Sequence, residues 1–201
     1  MMVRKLCLLV GLMSFGWSVP VNANLIVNGS FEDVFDGAHW AGNVITAGSS
    51  AGFHPGSATD GDYIVGFGGG SAPPPPPGVL SQAFPTSVGQ QYQLEFDYGS
   101  IGNAVAQFMN VRVVGQSTLL DVDVSYTSYL GYTVHAWQTQ VFLFTADSPL
   151  STLTFSDISD PYVGHSTDSA IDRVSIAPIP EPSTALLLGL GLAGMAMRTR
   201  R

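Results

Sequence analysis

The 201-residue sequence contains one cysteine, Cys7, and one lysine, Lys5, so the body of the chain has neither. Without further cysteine that body forms no internal disulfide, offers no thiol nucleophile and builds no Cys-based metal site. Basic residues are scarce as well. Between residues 24 and 177, fourteen acidic side chains stand against two basic ones, Arg112 and Arg173. Phosphate backbones are held by clustered Lys and Arg, so nucleic acid is excluded as a partner. An acidic, oxygen-rich surface favours solubility and hard cations such as calcium. The stretch also lacks a sustained 3.6-residue period. His39, His54, His135 and His165 never fall in a spacing such as His-Glu-x-x-His, and there is no Gly-x-Ser-x-Gly elbow. His165-Ser166-Thr167-Asp168 has the residue types of a hydrolase. Adjacency in a polar loop is ordinarily just a turn, so no catalytic residue is assigned.

Long apolar runs occur only at the two ends. At the head, Arg4 and Lys5 precede the apolar Leu6–Trp17, and Val21-Asn22-Ala23 is a small-residue cleavage site. This is the pattern of a secretory signal peptide over residues 1–23, cut after Ala23. At the tail, Pro180-Glu181-Pro182 leads into the uncharged segment 184–197, and Arg198, Arg200 and Arg201 follow. Its 14 residues fall short of the roughly 20 that a spanning helix wants. Ile179 and the Pro-rich flank bring it close to the lower limit. The arginines would stay cytoplasmic and leave the bulk of the chain outside. Small residues along Gly189–Gly194 suit helix–helix contact in lipid. Motif, apolar segment and basic end together resemble the PEP-CTERM sorting signal of exopolysaccharide-producing Gram-negative bacteria. The resemblance covers about residues 178–201. It implies a processing enzyme, the exosortase, as partner at the tail. It also implies transient residence in the inner membrane through the hydrophobic helix 184–197, then release to the cell surface or the extracellular space.

Between the signals the chain reads as β-rich. Asn24–Val27, Asp62–Phe67, Val79–Phe84, Tyr92–Tyr98, Val105–Val114, Leu119–Val124, Thr139–Thr145, Ser151–Phe155 and Ala170–Ile176 are short β-prone runs separated by turn residues. Tyr92, Leu94, Phe96 and Tyr98 alternate onto one face. The Gly/Pro-rich stretch 68–78 contains five consecutive prolines and is a surface loop, since proline supplies no ladder donor. Many short strands without helices predict an all-β fold, an antiparallel β-sandwich or jelly roll over residues 24–177.

Several short motifs in order are similar to galactose-binding-like β-sandwich domains, a group that includes carbohydrate-binding modules. They are Asn24-Leu25-Ile26-Val27-Asn28-Gly29-Ser30-Phe31-Glu32, Asp60-Gly61-Asp62-Tyr63, Leu80-Ser81-Gln82-Ala83-Phe84, Gly89-Gln90-Gln91-Tyr92, Trp137 before its strand, and Ala170-Ile171-Asp172-Arg173-Val174. In such a fold the first and last strands lie side by side, and the resemblance implies a structural calcium between Glu32 and Asp172. Calcium takes 6–8 oxygens in irregular geometry. Arg173, where relatives carry a second acid, offers the alternative of an ion pair with Glu32 or Asp33 and no metal.

For polysaccharide, the candidate patch is Tyr126, Tyr129, Tyr132 and His135, with Trp40 in another loop; ordinary packing is the alternative for each tyrosine. Trp137 is expected in the core. Asp121 and Asp123 share a strand face, which suits a solvated surface. The sequence therefore predicts an exported, non-catalytic surface or matrix protein that binds polysaccharide. A structural or adhesion protein that binds another protein is second, and a glycan-active enzyme third.

Overall fold

A computed structural model of the chain describes residues 24–33, 39–47, 58–67, 78–101, 106–127, 137–159 and 168–180. The expected signal peptide, the Gly/Pro-rich stretch up to residue 77 and the apolar segment 184–197 lie outside these residues. Among the described residues no helix is long and apolar enough to cross a membrane.

Ten strands form two antiparallel sheets. The strands are β1 (Ala41–Gly42), β2 (Ile45–Ala47), β3 (Ile64–Phe67), β4 (Val79–Pro85), β5 (Gln91–Ile101), β6 (Ala106–Val114), β7 (Thr118–Thr127), β8 (Gln138–Thr145), β9 (Leu150–Asp157) and β10 (Asp168–Pro178). One sheet runs β1-β4-β9-β6-β7 and the other β2-β3-β10-β5-β8. The period-two pattern decides which residues lie between them. Leu80 and Phe84, Met109, Val111 and Val113, and Leu153 and Phe155 point inward from the first sheet; Tyr92, Leu94, Phe96 and Tyr98 do so from the second. The expected alternation in β5 is present.

Aromatic rings tie the layers. Across the sheets, Phe155 meets Phe96 edge-on at 5.0 Å and Phe84 meets Phe144 edge-on at 6.2 Å; within the second sheet Tyr92 stacks on Phe144 at 5.5 Å, and Trp40 packs on Phe155 at 6.5 Å. Rings of this size dominate core energetics, and their tilted and edge-on contacts add to the area they bury.

Residues 24–27 differ from expectation, being an irregular arm rather than a strand. Side-chain amides substitute for ladder bonds here. Asn24 Oδ1 accepts from the amide of Ile176 at 2.9 Å, and its Nδ2 donates to Val174 O at 3.0 Å. Gln82 clasps Val27 by both backbone groups, at 2.8 and 2.9 Å. Among the described residues, Leu25 N to Ile176 O, and Val174 N to Gly29 O just past the arm, are the backbone bonds of this stretch to β10.

The two ends of the sandwich differ. One is closed by the short turns 86–90, 115–117 and 146–149. Gly89 N donates to Ala146 O, Ala146 N to Gln90 O and Thr86 N to Pro149 O. Asp147 accepts from the amides of Gln116 and Ser117 at 2.8 Å each. The longer segments 68–77, 128–136 and 160–167, and the four-residue segment 102–105, leave from and return to the opposite end, as strand direction and register require.

Candidate functional site

Two carboxylates and one guanidinium organise the outer side of β10. Asp172 is fully buried. Its Oδ2 accepts from Thr59 N at 2.6 Å, Thr59 Oγ1 at 3.0 Å and Asp60 N at 3.0 Å; its Oδ1 accepts from Arg173 N at 2.7 Å. Burial pushes the carboxyl above its ordinary range, against the pull of those amide donors. From the other side of the same turn, Glu32 Oε1 accepts from Asp62 N and Tyr63 N, both at 2.8 Å. Glu32 and Asp172 thus converge on one turn, residues 59–63. Gly61 makes that approach possible. Its φ is +79°, and a Cβ there would collide with the Glu32 carboxylate.

The two acids differ in what surrounds them. Asp172 has no cationic side chain within ion-pair distance among the described residues. Its charge is met instead by the four donors of Thr59, Asp60 and Arg173, and Glu32 meets the same turn through Oε1; a hard cation between the two acids would have to share those oxygens. No group of three acids or histidines able to hold a metal occurs among the described residues, so further ligands would be backbone carbonyls or water.

Arg173 does not pair with Glu32 or Asp33, as one sequence alternative held. It turns onto the outer face of the second sheet. There Nε and Nη2 hold Asp97 at 2.9 Å each, and Nη1 reaches Glu95 at 3.0 Å. Thr139 Oγ1 donates to Asp97 at 2.7 Å. Burial alone would raise the Asp97 carboxyl. The Arg173 bonds and the threonine hydroxyls outweigh it and hold the group below its ordinary range, while Asp97 in turn raises Arg173. The reason for the turn is in the backbone. β10 carries a bulge between Asp172 and Ser175, and Arg173 has a φ of +51°.

Beside this network lies a groove of about 500 Å³, lined by Asn24, Glu32, Asp33, Asp60, Arg173 and Ser175 among others. Of the three non-glycine residues with positive φ among the described residues, Asn28 and Arg173 line it, and Phe31 falls in sequence between the lining residues Ser30 and Glu32.

The other candidates fall as follows. Trp40 requires a correction. It is 1% exposed, packs on Phe31 and Phe155, and donates Nε1 to Asn28 O at 3.0 Å. A ring with no open face cannot stack on a sugar. Tyr126 sits in β7, half-buried and edge-on to Tyr98 at 6.5 Å. Tyr129, Tyr132 and His135 lie outside the described residues. Trp137, expected in the core, is half-buried against a second, smaller hydrophobic cluster of Ile64 and Ala170, apart from the main core. Asp121 and Asp123 are exposed, and Asn110 Nδ2 bridges them at 2.8 Å each. Sequence reading passed over Glu95 and Asp97. The signal was available, because the inward alternation of Tyr92 to Tyr98 places residues 93, 95 and 97 on the outer face.

The last strand runs straight into the tail. Pro178 still pairs with Tyr92, Ile179 N donates to Gln91 O at 2.8 Å, and Gln90 Nε2 donates to Ile179 O at 2.7 Å. Pro180 is exposed; Glu181 and Pro182 lie beyond the described residues. Residues 178–201 are a PEP-CTERM protein-sorting motif. The sorting motif therefore begins inside the fold. It marks the chain as an exported protein with a C-terminal sorting signal.

No curated protein matches the sequence. Among solved structures the chain is similar to TmCBM61 in complex with β-1,4-galactotriose, with a TM-score of 0.56 and 19% identity over 78% of this chain and 99% of that one. It is also similar to a CBM4 structure, with a TM-score of 0.50 and 17% identity over 77% and 99%. The fold is that of carbohydrate-binding-module β-sandwiches.

Proposed function

We propose that this exported protein is non-catalytic and binds polysaccharide at the cell surface or in the extracellular matrix. One observation carries the reading. The sandwich matches nearly the whole length of a module solved with a bound galactotriose. The described carboxylates support binding over acid–base work. Asp97, Asp147 and Asp172 each spend both oxygens on donors inside the fold. Tyr126, Tyr129, Tyr132 and His135 remain the proposed contact patch, carried by the end where the longer segments leave. An exosortase acts on the tail, and segment 184–197 holds the protein in the inner membrane until then.

Calcium between Glu32 and Asp172 would fix the turn 59–63 and neutralise the buried Asp172. Removing it with chelator should lower the melting temperature of the wild-type chain and leave Asp172→Asn unmoved. An equal response in both chains, or none in either, excludes the metal from this pair.

Binding is tested by a glycan array and polysaccharide pull-down, with calcium and with chelator. Retention of at least one polysaccharide, weakened by Tyr129→Ala with Tyr132→Ala, is the expected result. Absence of binding to every glycan in both conditions would sink the reading and put a structural protein in its place.

A further inference from the structure

The sorting motif fixes more than a destination, because Ile179 is bonded to the sandwich through both its amide and its carbonyl. Four residues, Pro180 to Ser183, separate it from the apolar segment that starts at Thr184. Fully extended they span at most about 14 Å. The headgroup layer on each side of a bilayer occupies roughly 5–7 Å of that. The end of the sandwich from which the tail leaves is therefore held within about 7–9 Å of the headgroups whenever 184–197 is in the membrane.

That end has a surface suited to lipid. Val88, 68% exposed, and Leu150, 56% exposed, are the two most exposed large hydrophobic residues among those described, and both belong to the closed end. The turns 86–90, 115–117 and 146–149 contain a single charged residue, Asp147. Its carboxylate is taken up by the amides of Gln116 and Ser117 and by the Ser117 hydroxyl. In a domain with fourteen acids, an end that carries a single, internally bonded carboxylate meets little repulsion from an anionic leaflet. The N-terminal arm enters beside it, with Leu25 bonded to Ile176.

We infer that the closed end, with Val88 and Leu150 at its tip, rests on the bilayer surface while the tail is inserted. The opposite end, where the longer segments and the proposed glycan patch leave the sheets, then faces away from the membrane. The inference rests on the proposed membrane insertion of segment 184–197, and its test separates the two.

The exported form is expected to begin at Asn24 and to hold no cysteine, so a single label site can be introduced. Val88→Cys and, at the far end, the exposed Thr127→Cys are each labelled with an environment-sensitive dye. Both are mixed with phosphatidylcholine vesicles carrying a spin-labelled headgroup lipid. Co-sedimentation reports tail insertion. Quenching of most of the fluorescence at position 88, with none at 127, is the expected result. A third chain, Leu150→Asp with Val88→Cys, should lose much of that quenching while still co-sedimenting. Equal quenching at both positions, or none at 88 in chains that co-sediment, overturns the orientation. Chains that fail to co-sediment overturn the insertion on which it stands.

Discussion

Replacing Arg173 tests whether the outer network holds the last strand in place. In Arg173→Ala, Asp97 keeps its buried position, its side chain being 4% exposed, but loses its cation. Breaking a fully buried pair costs about 3–5 kcal/mol, and an exposed pair is worth about 0–1 kcal/mol. Arg173 is itself 41% exposed, so solvent screens the pair and the loss lies between these limits. We expect about 2 kcal/mol, a fall of about 4–8 °C in melting temperature for a domain of this size. Arg173→Gly removes the same bonds but relieves the left-handed backbone, and should recover about 1 kcal/mol relative to alanine. Adding Asp97→Asn to Arg173→Ala should cost less than the two single changes summed, by about 1 kcal/mol. Urea unfolding followed by tryptophan fluorescence measures the wild type and the four variants, Asp97→Asn alone included. A wild-type midpoint for Arg173→Ala, or strict additivity of the double variant, would refute the reasoning.

Three further outcomes are expected. Asp97 has a depressed carboxyl, so its contribution is present above the unfolded value near pH 4 and fades as pH falls toward the folded one. Asp97→Asn should flatten the acid side of a melting-temperature profile, and a slope equal to wild type would contradict the assignment. Gly61→Ala forces a Cβ into the Glu32 carboxylate at φ +79° and should cost about 1–2 kcal/mol by chemical denaturation. Trp40→Ala should cost about 3–5 kcal/mol and lower the soluble yield, as expected for a core ring; a small loss of stability with a large loss of glycan retention would return Trp40 to the binding surface.

The sheet was legible where side chains alternate without interruption. Tyr92 to Tyr98 announced both faces of β5, and the clusters of Gly, Pro, Ser and Asn marked the turns. The arm at residues 24–27 was misread as a strand because its apolar pattern suits one. The bonds of that arm come instead from Asn24 and from Gln82, which lies 55 residues from Val27, and no local pattern reports so distant a clasp. Trp40 was misplaced for a similar reason. It stands among glycines and small polar residues, while the partners that bury it, Phe31 and Phe155, come from the segment after the arm and from β9. The convergence of Glu32 and Asp172 followed from the resemblance, and Gly61 makes it sterically possible. The partners of Arg173 were not legible, because a bulge and a positive φ swing that side chain off the expected line.

The position of β10 constrains the order of events during export. This strand lies between β3 and β5, the middle of its sheet, yet it is the last strand before the sorting motif. Until it arrives, β2-β3 and β5-β8 are two separate ribbons, each with an unpaired inner edge open to misassembly. Closure of the sandwich must wait for residues 168–178, and with them for the start of the sorting signal. A domain cut short before that strand would have no centre to its second sheet. The fold therefore cannot be completed before the start of the sorting signal has emerged.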